Sequence, residues 1–282
     1  MISREEKNKV LEQEIKQEKA IKISKKFLKG FFLVMLIFAI ILVYIYFIGV
    51  KNIKTNEYVL YENIPNSFHG IKILHFSDLL YGGTINQKEI NYLQDEIKLI
   101  NPDIVFFTGN LIDNKYELQE DDISQLNTFF KNIPYRIGKF AIRGNLDTKN
   151  FDLIMEDTNF TIMDNKLEKI YYEEKDYINI VGFNTDKEKE ITQDDKYTIC
   201  LINNYDDFKK KNINANLIFA GNNLGGEIRI FNLPLLGNNK YPNSYYEENN
   251  SKIYISNGLG SIHHMRFMNH PSINVYRLEK KS

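Results

Sequence analysis

Five loops concentrate the residues able to do chemistry: SDLLYGG (77–83), TGNLID (108–113), RGNLD (143–147), INNYDDF (202–208) and AGNNLGGE (220–227). They set Asp78, Asp113 and Asp147 among amides at Asn110, Asn145, Asn203 and Asn222. Carboxylate and amide oxygens are hard donors that suit divalent cations, although a neutral amide is a poor bridge between two of them. The pair His263 and His264 could supply imidazoles to Asp78, Asp113 or Asp147, or could be plain exposed polar residues. Arg143 and Arg266 could flank a cleft and attract an anion such as a phosphate headgroup, or could be plain surface charges. His75, between Leu74 and Phe76, reads as a packed strand residue. Cys200 is the only cysteine, so no disulfide can form within the chain; in the run YTICLI it reads as a small buried side chain.

The elements that must position these loops alternate in the first half. IKILHF (71–76), DIVFFTG (103–109) and GKFAIRGN (138–145) are strand-like runs. Between them, Ile90, Leu93 and Ile97 recur at helical spacing, and so do Ile123, Leu126 and Phe130; a short helix is predicted around Phe151–Met155. This βαβαβ pattern implies a parallel sheet with right-handed crossovers. The second half is strand-dominated (LEKIYY, YINIVGF, YTICLI, NLIFAG, GEIRIF, KIYISNG, INVYRL) and suggests a second sheet packed on the first. The Asn-rich stretch Asn238 to Ser251 is expected to be a mobile loop. Ligands usually sit at strand-end loops of such sheets, where the five motifs fall.

The order, spacing and strand contexts of the motifs resemble the calcineurin-like metallophosphoesterases, most closely their small membrane-associated phosphodiesterase branch. The resemblance covers nearly all of the chain beyond residue 50. It implies a four-layer α/β/β/α sandwich of two mixed β-sheets, with two divalent cations (Mn, Fe or Zn) that polarise a phosphoryl group and generate the nucleophile. It also shows what is missing. The family's D-x-H falls on Asp78 and Leu80, and the bridging aspartate of G-D-x-x-D falls on Asn110, with Asp113 kept. In G-N-H-D, Asn145 and Asp147 survive, but Leu146 replaces the histidine expected to donate a proton to the leaving group. A ligand histidine aligns with Asn203, ahead of Tyr205 and Asp206. The final G-H-x-H-G-G-Q reads Gly221, Asn222, Asn223, Leu224, Gly225, Gly226, Glu227. Of the usual metal-ligand positions only Asp78 and Asn145 keep the expected residue. Asn at 110 relieves the repulsion that a cation-free carboxylate cluster would suffer, and leucines fill the vacated volume.

Gly30 to Val50 contains no charged residue, and its length matches a bilayer core. It is too long for a cleavable signal peptide, and no small-x-small site follows it. Lys22, Lys25, Lys26 and Lys29 crowd its N-terminal side, against Lys51 and Lys54 on the other. The sequence therefore predicts a cytoplasmic tail (1–29), a transmembrane helix (30–50) and a metallophosphoesterase-like extracytoplasmic domain (51–282) in a single-pass protein of the plasma membrane. Residues 1–29 carry nine Lys/Arg and five Asp/Glu, leaving −5 on the rest of a chain of formal charge −1. That balance argues against a nucleic-acid partner. The reading is a pseudoenzyme without a metal cofactor that binds a phosphate-containing ligand or a protein partner. The alternative is an active phosphodiesterase with a rebuilt or weakened two-metal site.

Overall fold

The computed structural model describes residues 4–173, 175–184, 194–206, 214–231, 233–237, 240–241 and 243–281. Two compact units divide at Ile45/Tyr46. The first is one α-helix, α1 (Arg4–Val43), in which the charged N-terminal segment and most of the apolar run are continuous; a π-helical turn follows over Tyr44–Ile48. This stretch is long and apolar enough to cross a membrane.

The second unit is a sandwich. Its first sheet contains β1 (Lys54–Glu62), β2 (Lys72–Phe76), β3 (Ile104–Phe107), β4 (Gly138–Ala141), β5 (Phe160–Ile162) and β14 (Ser272–Lys280), in the order β1-β14-β2-β3-β4-β5. β2 to β5 are parallel, and β14 runs antiparallel to β2. The second sheet contains β6 (Lys166–Tyr171), β7 (Tyr177–Phe183), β8 (Thr198–Asn204), β9 (Leu217–Gly221), β12 (Tyr245–Glu248) and β13 (Ser251–Ile255), in the order β12-β13-β9-β8-β7-β6. Both sheets are mixed, as the motifs imply.

Alternation along each strand builds the layers. In β2, Ile73 and His75 face the second sheet, while Leu74 and Phe76 face helices α2 (Gln87–Ile100), α3 (Glu120–Asn132) and α4 (Lys149–Met155). Asn86 caps α2 through a reciprocal capping box with Glu89, which fixes where the helix leaves the site loops. On the outer face of the second sheet, Tyr205 and Tyr241 close over Val181, Cys200 and Ile218. The last two residues of the fourth sequence motif, 207 and 208, and those after them to 213 fall outside the described residues.

Three expectations change. INVYRL does not join the second sheet: it forms β14, inserted between β1 and β2 of the first. GEIRIF contributes β10 (Ile228–Ile230), which pairs only with β11 (Leu233–Leu236) in a separate hairpin. The Asn238–Ser251 stretch contains β12 and enters β13, with 238, 239 and 242 outside the described residues. A run of apolar residues marks a strand but not its partner, which explains the first two.

Phe219 is fully buried between the sheets, with ring contacts to His75, Phe106, Tyr254 and Tyr276. Phe219→Ala is expected to cost about 3–5 kcal/mol, read from urea unfolding of the full chain in nonionic detergent. A loss below about 1 kcal/mol would contradict this core assignment.

Candidate functional site at the strand-end rim

Loops from both sheets meet at one rim. Asp78 and Leu80 after β2, Asn110 after β3, and Asn222 and Leu224 after β9 all take left-handed backbone, with φ of 52°, 44°, 60°, 57° and 52°. Non-glycine residues pay roughly 1 kcal/mol or more for this. Cross-loop bonds hold the geometry: the Asp78 amide donates to Gly109 O (2.9 Å), the Leu80 amide to Asn110 O (3.1 Å) and the Gly260 amide to Asp78 O (2.7 Å). Gly109 and Gly144 meet backbone to backbone. A Cβ on Gly109 (φ 86°) would lie 2.3 Å from Gly144 N, so a side chain there would push the two loops apart.

Asn110 is the hub. One hydrogen of its Nδ2 goes to Asp78 Oδ1 (2.7 Å) and the other to Asn222 Oδ1 (3.0 Å). Its Oδ1 accepts the Leu146 amide (3.1 Å), and its own backbone amide donates to Asp147 Oδ2 (2.8 Å). Both amide hydrogens and the carbonyl oxygen are therefore engaged, and the side chain ties four loops together. Asp78 is buried, and its second oxygen accepts the Asn222 amide (2.9 Å). Burial pushes its carboxyl up to about 6, against the downward pull of Asn110, Asn222, Ser77 and the charge of Arg266. A folded-state value above the ordinary 3.8 means that Asp78's contribution to stability is fully present below that pH and is lost as pH rises through about 6.

Asp147 does backbone work. It accepts amides from Asn110 (2.8 Å), Leu111 (2.7 Å) and Gly144 (2.7 Å), yet burial pushes its carboxyl to about 6 as well. Asp113 accepts the Lys115 amide (2.8 Å). A register shift between Ile202 and Asn204 in β8 frees Asn203 to reach across the rim. Its Nδ2 donates to Thr108 O (2.7 Å), and its Oδ1 accepts the Asn145 amide (3.2 Å). Asn145 itself is exposed, and Leu146 partly so.

This donor set does not fit a pair of divalent cations. Both Asp78 oxygens already accept hydrogen bonds, Asn110 presents NH₂ where a bridge must present oxygen, and both ends of the Asn203 amide are engaged. Leu80, Leu146 and Leu224 offer no donor. Among the described residues no three His, Cys, Asp or Glu side chains are grouped closely enough to hold a metal.

His263 and His264 are both exposed, and the two arginines are placed otherwise than as flanks of a cleft. His263 pairs through Nδ1 with the buried Glu227, whose Oε1 also accepts the Ser261 hydroxyl (2.6 Å). His264 Nε2 lies 3.7 Å from Asp113 Oδ2. Neither imidazole is paired with Asp78 or Asp147. Arg143 does not offer its charge to a cleft: it is ion-paired to Asp164 and Asp152 and stacks on Phe151. Arg266 is not on the surface at all. It is fully buried, and its Nη2 donates to the carbonyls of Asn257 (2.8 Å) and Gly260 (2.6 Å). His75 is buried and bonded to Thr108 Oγ1 (2.9 Å), and burial lowers its imidazole to about 3. One support had no sequence signal: Asn269, whose Nδ2 holds Leu224 O (2.7 Å) and Gly226 O (2.9 Å).

Two mixed sheets with strand-end loops converging on one rim define a metallophosphoesterase sandwich. The model of the calcineurin-like phosphoesterase family matches residues 71–251, from the lead-in to β2 to the start of β13, and the chain belongs to that family. It is 27% identical over 249 residues to the uncharacterized metallophosphoesterase YkuE of Bacillus subtilis (strain 168), a match that covers 80% of this chain and 86% of that protein.

Asn110→Asp removes both amide donors and sets a second carboxylate against Asp78. The expected loss is about 3 kcal/mol or more at pH 7.5, shrinking below pH 5 as the pair takes up a proton. Urea unfolding of the full chain at the two pH values checks it, and a variant as stable as the natural chain at pH 7.5 would remove Asn110 from its role as hub.

Proposed function

We propose that this protein is a membrane-anchored pseudoenzyme of the calcineurin-like phosphoesterase family, whose metal centre has been exchanged for a hydrogen-bonded amide network and which serves in binding. The observation that carries the reading is the Asn110 amide. Its two N–H groups sit between oxygens of Asp78 and Asn222, where the family's chemistry needs cations. The loss of the leaving-group acid at Leu146 supports the same conclusion. The anchor is residues 30–50. The lysine excess ahead of that run supports a cytoplasmic N-terminus and an extracytoplasmic body at the plasma membrane.

The enzyme reading draws on His264 near Asp113, which leaves one imidazole and one carboxylate within reach of each other at the rim. Hydrolysis separates the two. With Mn²⁺ or Zn²⁺ supplied, the full chain is expected to cleave bis(p-nitrophenyl) phosphate no faster than its Asp78→Ala variant. A rate well above that control, say about tenfold, would establish a working centre.

A further inference from the structure

A cavity lies on the same rim, toward the other edge of the sandwich. β14 is antiparallel to β2 and β1 parallel to β14, so Lys54 and Ser272 start their strands beside the end of β2. β12 is antiparallel to β13, which brings Tyr245 to the end of β13. Between these edges is a cavity of about 430 Å³, lined by Lys54, Arg229 and His270 with the amides of Asn56, Asn257 and Asn269. Among the described residues no aspartate or glutamate lines it. Burial, and with it the charges of Lys54 and Arg266, hold the His270 imidazole below its ordinary value. A small cavity with cations and amides but no acid suits a phosphate ester bearing hydroxyls.

Beside it stands the β10–β11 hairpin. Its root is bonded to the cavity's wall, with the Arg229 amide donating to Phe267 O (2.9 Å), and Arg229 Nη1 holds Gly225 O (2.9 Å). The hairpin presents apolar groups to solvent: Phe231 is 80% exposed, Leu233 71% and Leu235 58%. Exposed apolar groups this concentrated mark an interaction surface. Lys54 follows the apolar run Gly30–Val50 by four residues, at most about 14 Å of chain. Where that run spans a bilayer, Lys54 is tethered close to lipid headgroups, where basic residues attract anionic lipid.

We propose that the cavity and the hairpin form a docking surface for an anionic phospholipid, with its phosphate held at Lys54 and His270 and the exposed Phe231, Leu233 and Leu235 in the headgroup–acyl boundary. The inference rests on reading residues 30–50 as a bilayer span, and it needs no metal and no catalysis.

The sequence has no tryptophan, so Phe231→Trp places a single fluorophore on the tip. The full chain carrying it is reconstituted into phosphatidylcholine vesicles containing brominated acyl chains, with or without phosphatidylglycerol. The expected result is loss of about half of the emission with phosphatidylglycerol, and markedly less without it. Adding Lys54→Gln and His270→Asn should reduce the quenching to the phosphatidylcholine level. Lys54→Gln alone, at an exposed position, serves if the double change disturbs folding. Leu99→Trp, at the far end of α2, is expected to stay unquenched. The proposal is overturned if emission from the Phe231→Trp chain matches that of Leu99→Trp, or if quenching ignores both phosphatidylglycerol and Lys54. It is also overturned if millimolar glycerol 3-phosphate raises the thermal midpoint while the hairpin fluorophore stays unquenched, since the cavity then takes a soluble phosphate. Alkaline carbonate extraction separates the premise from the inference: a chain washed off refutes the span, whereas a retained chain with an unquenched hairpin fluorophore refutes only the docking.

Discussion

Oxygens cannot be gathered at low solvent exposure without something positive between them, and the rim of this sandwich is built around that constraint. Asp78, the Asn222 carbonyl and Asp147 converge there from three loops. In a two-metal enzyme the cations meet the requirement. Here the Asn110 NH₂ meets it, with backbone amides of Gly144, Leu111 and Asn222 sharing the load. An amide hydrogen bonded on both sides is weaker than a cation but needs no loading, so the loops can be closed as soon as the chain folds.

The backbone at the rim holds a geometry that its present side chains do not favour. Leu80 and Leu224 occupy left-handed conformations that leucine adopts at a cost, and Gly109 still allows the β3 and β4 loops to touch. These loops connect strands whose ends are set by the sandwich core, so their path is dictated from below. Leu80, Asn110, Asn222 and Leu224 follow that path whatever their side chains prefer. The buried leucines occupy the vacated space and exclude water from the hub, which strengthens each remaining hydrogen bond.

Much of this was legible in the sequence because it depends on local pattern. The strand runs before Ser77, Thr108 and Arg143 are apolar and short, the helices between them carry apolar residues at helical spacing, and the motifs fall at strand ends. Partner choice was not legible. Nothing local tells INVYRL to insert between β1 and β2, or keeps GEIRIF out of the large sheet. The same limit applies to charges: Arg143 and Arg266 read as cleft cations, whereas Asp164 and Asp152 claim the first and burial under the site claims the second. The fates of Asn203 and Asn269 depend on a β-bulge and on a loop approach that only the assembled fold creates.

The most direct test of an amide network in place of a metal centre is the metal content of the full chain, measured by elemental mass spectrometry after equilibration with manganese and zinc and then dialysis. The account predicts less than about a tenth of an equivalent per chain. One or two retained ions, lost on Asp78→Ala, would show that the rim still holds a metal centre and would contradict it.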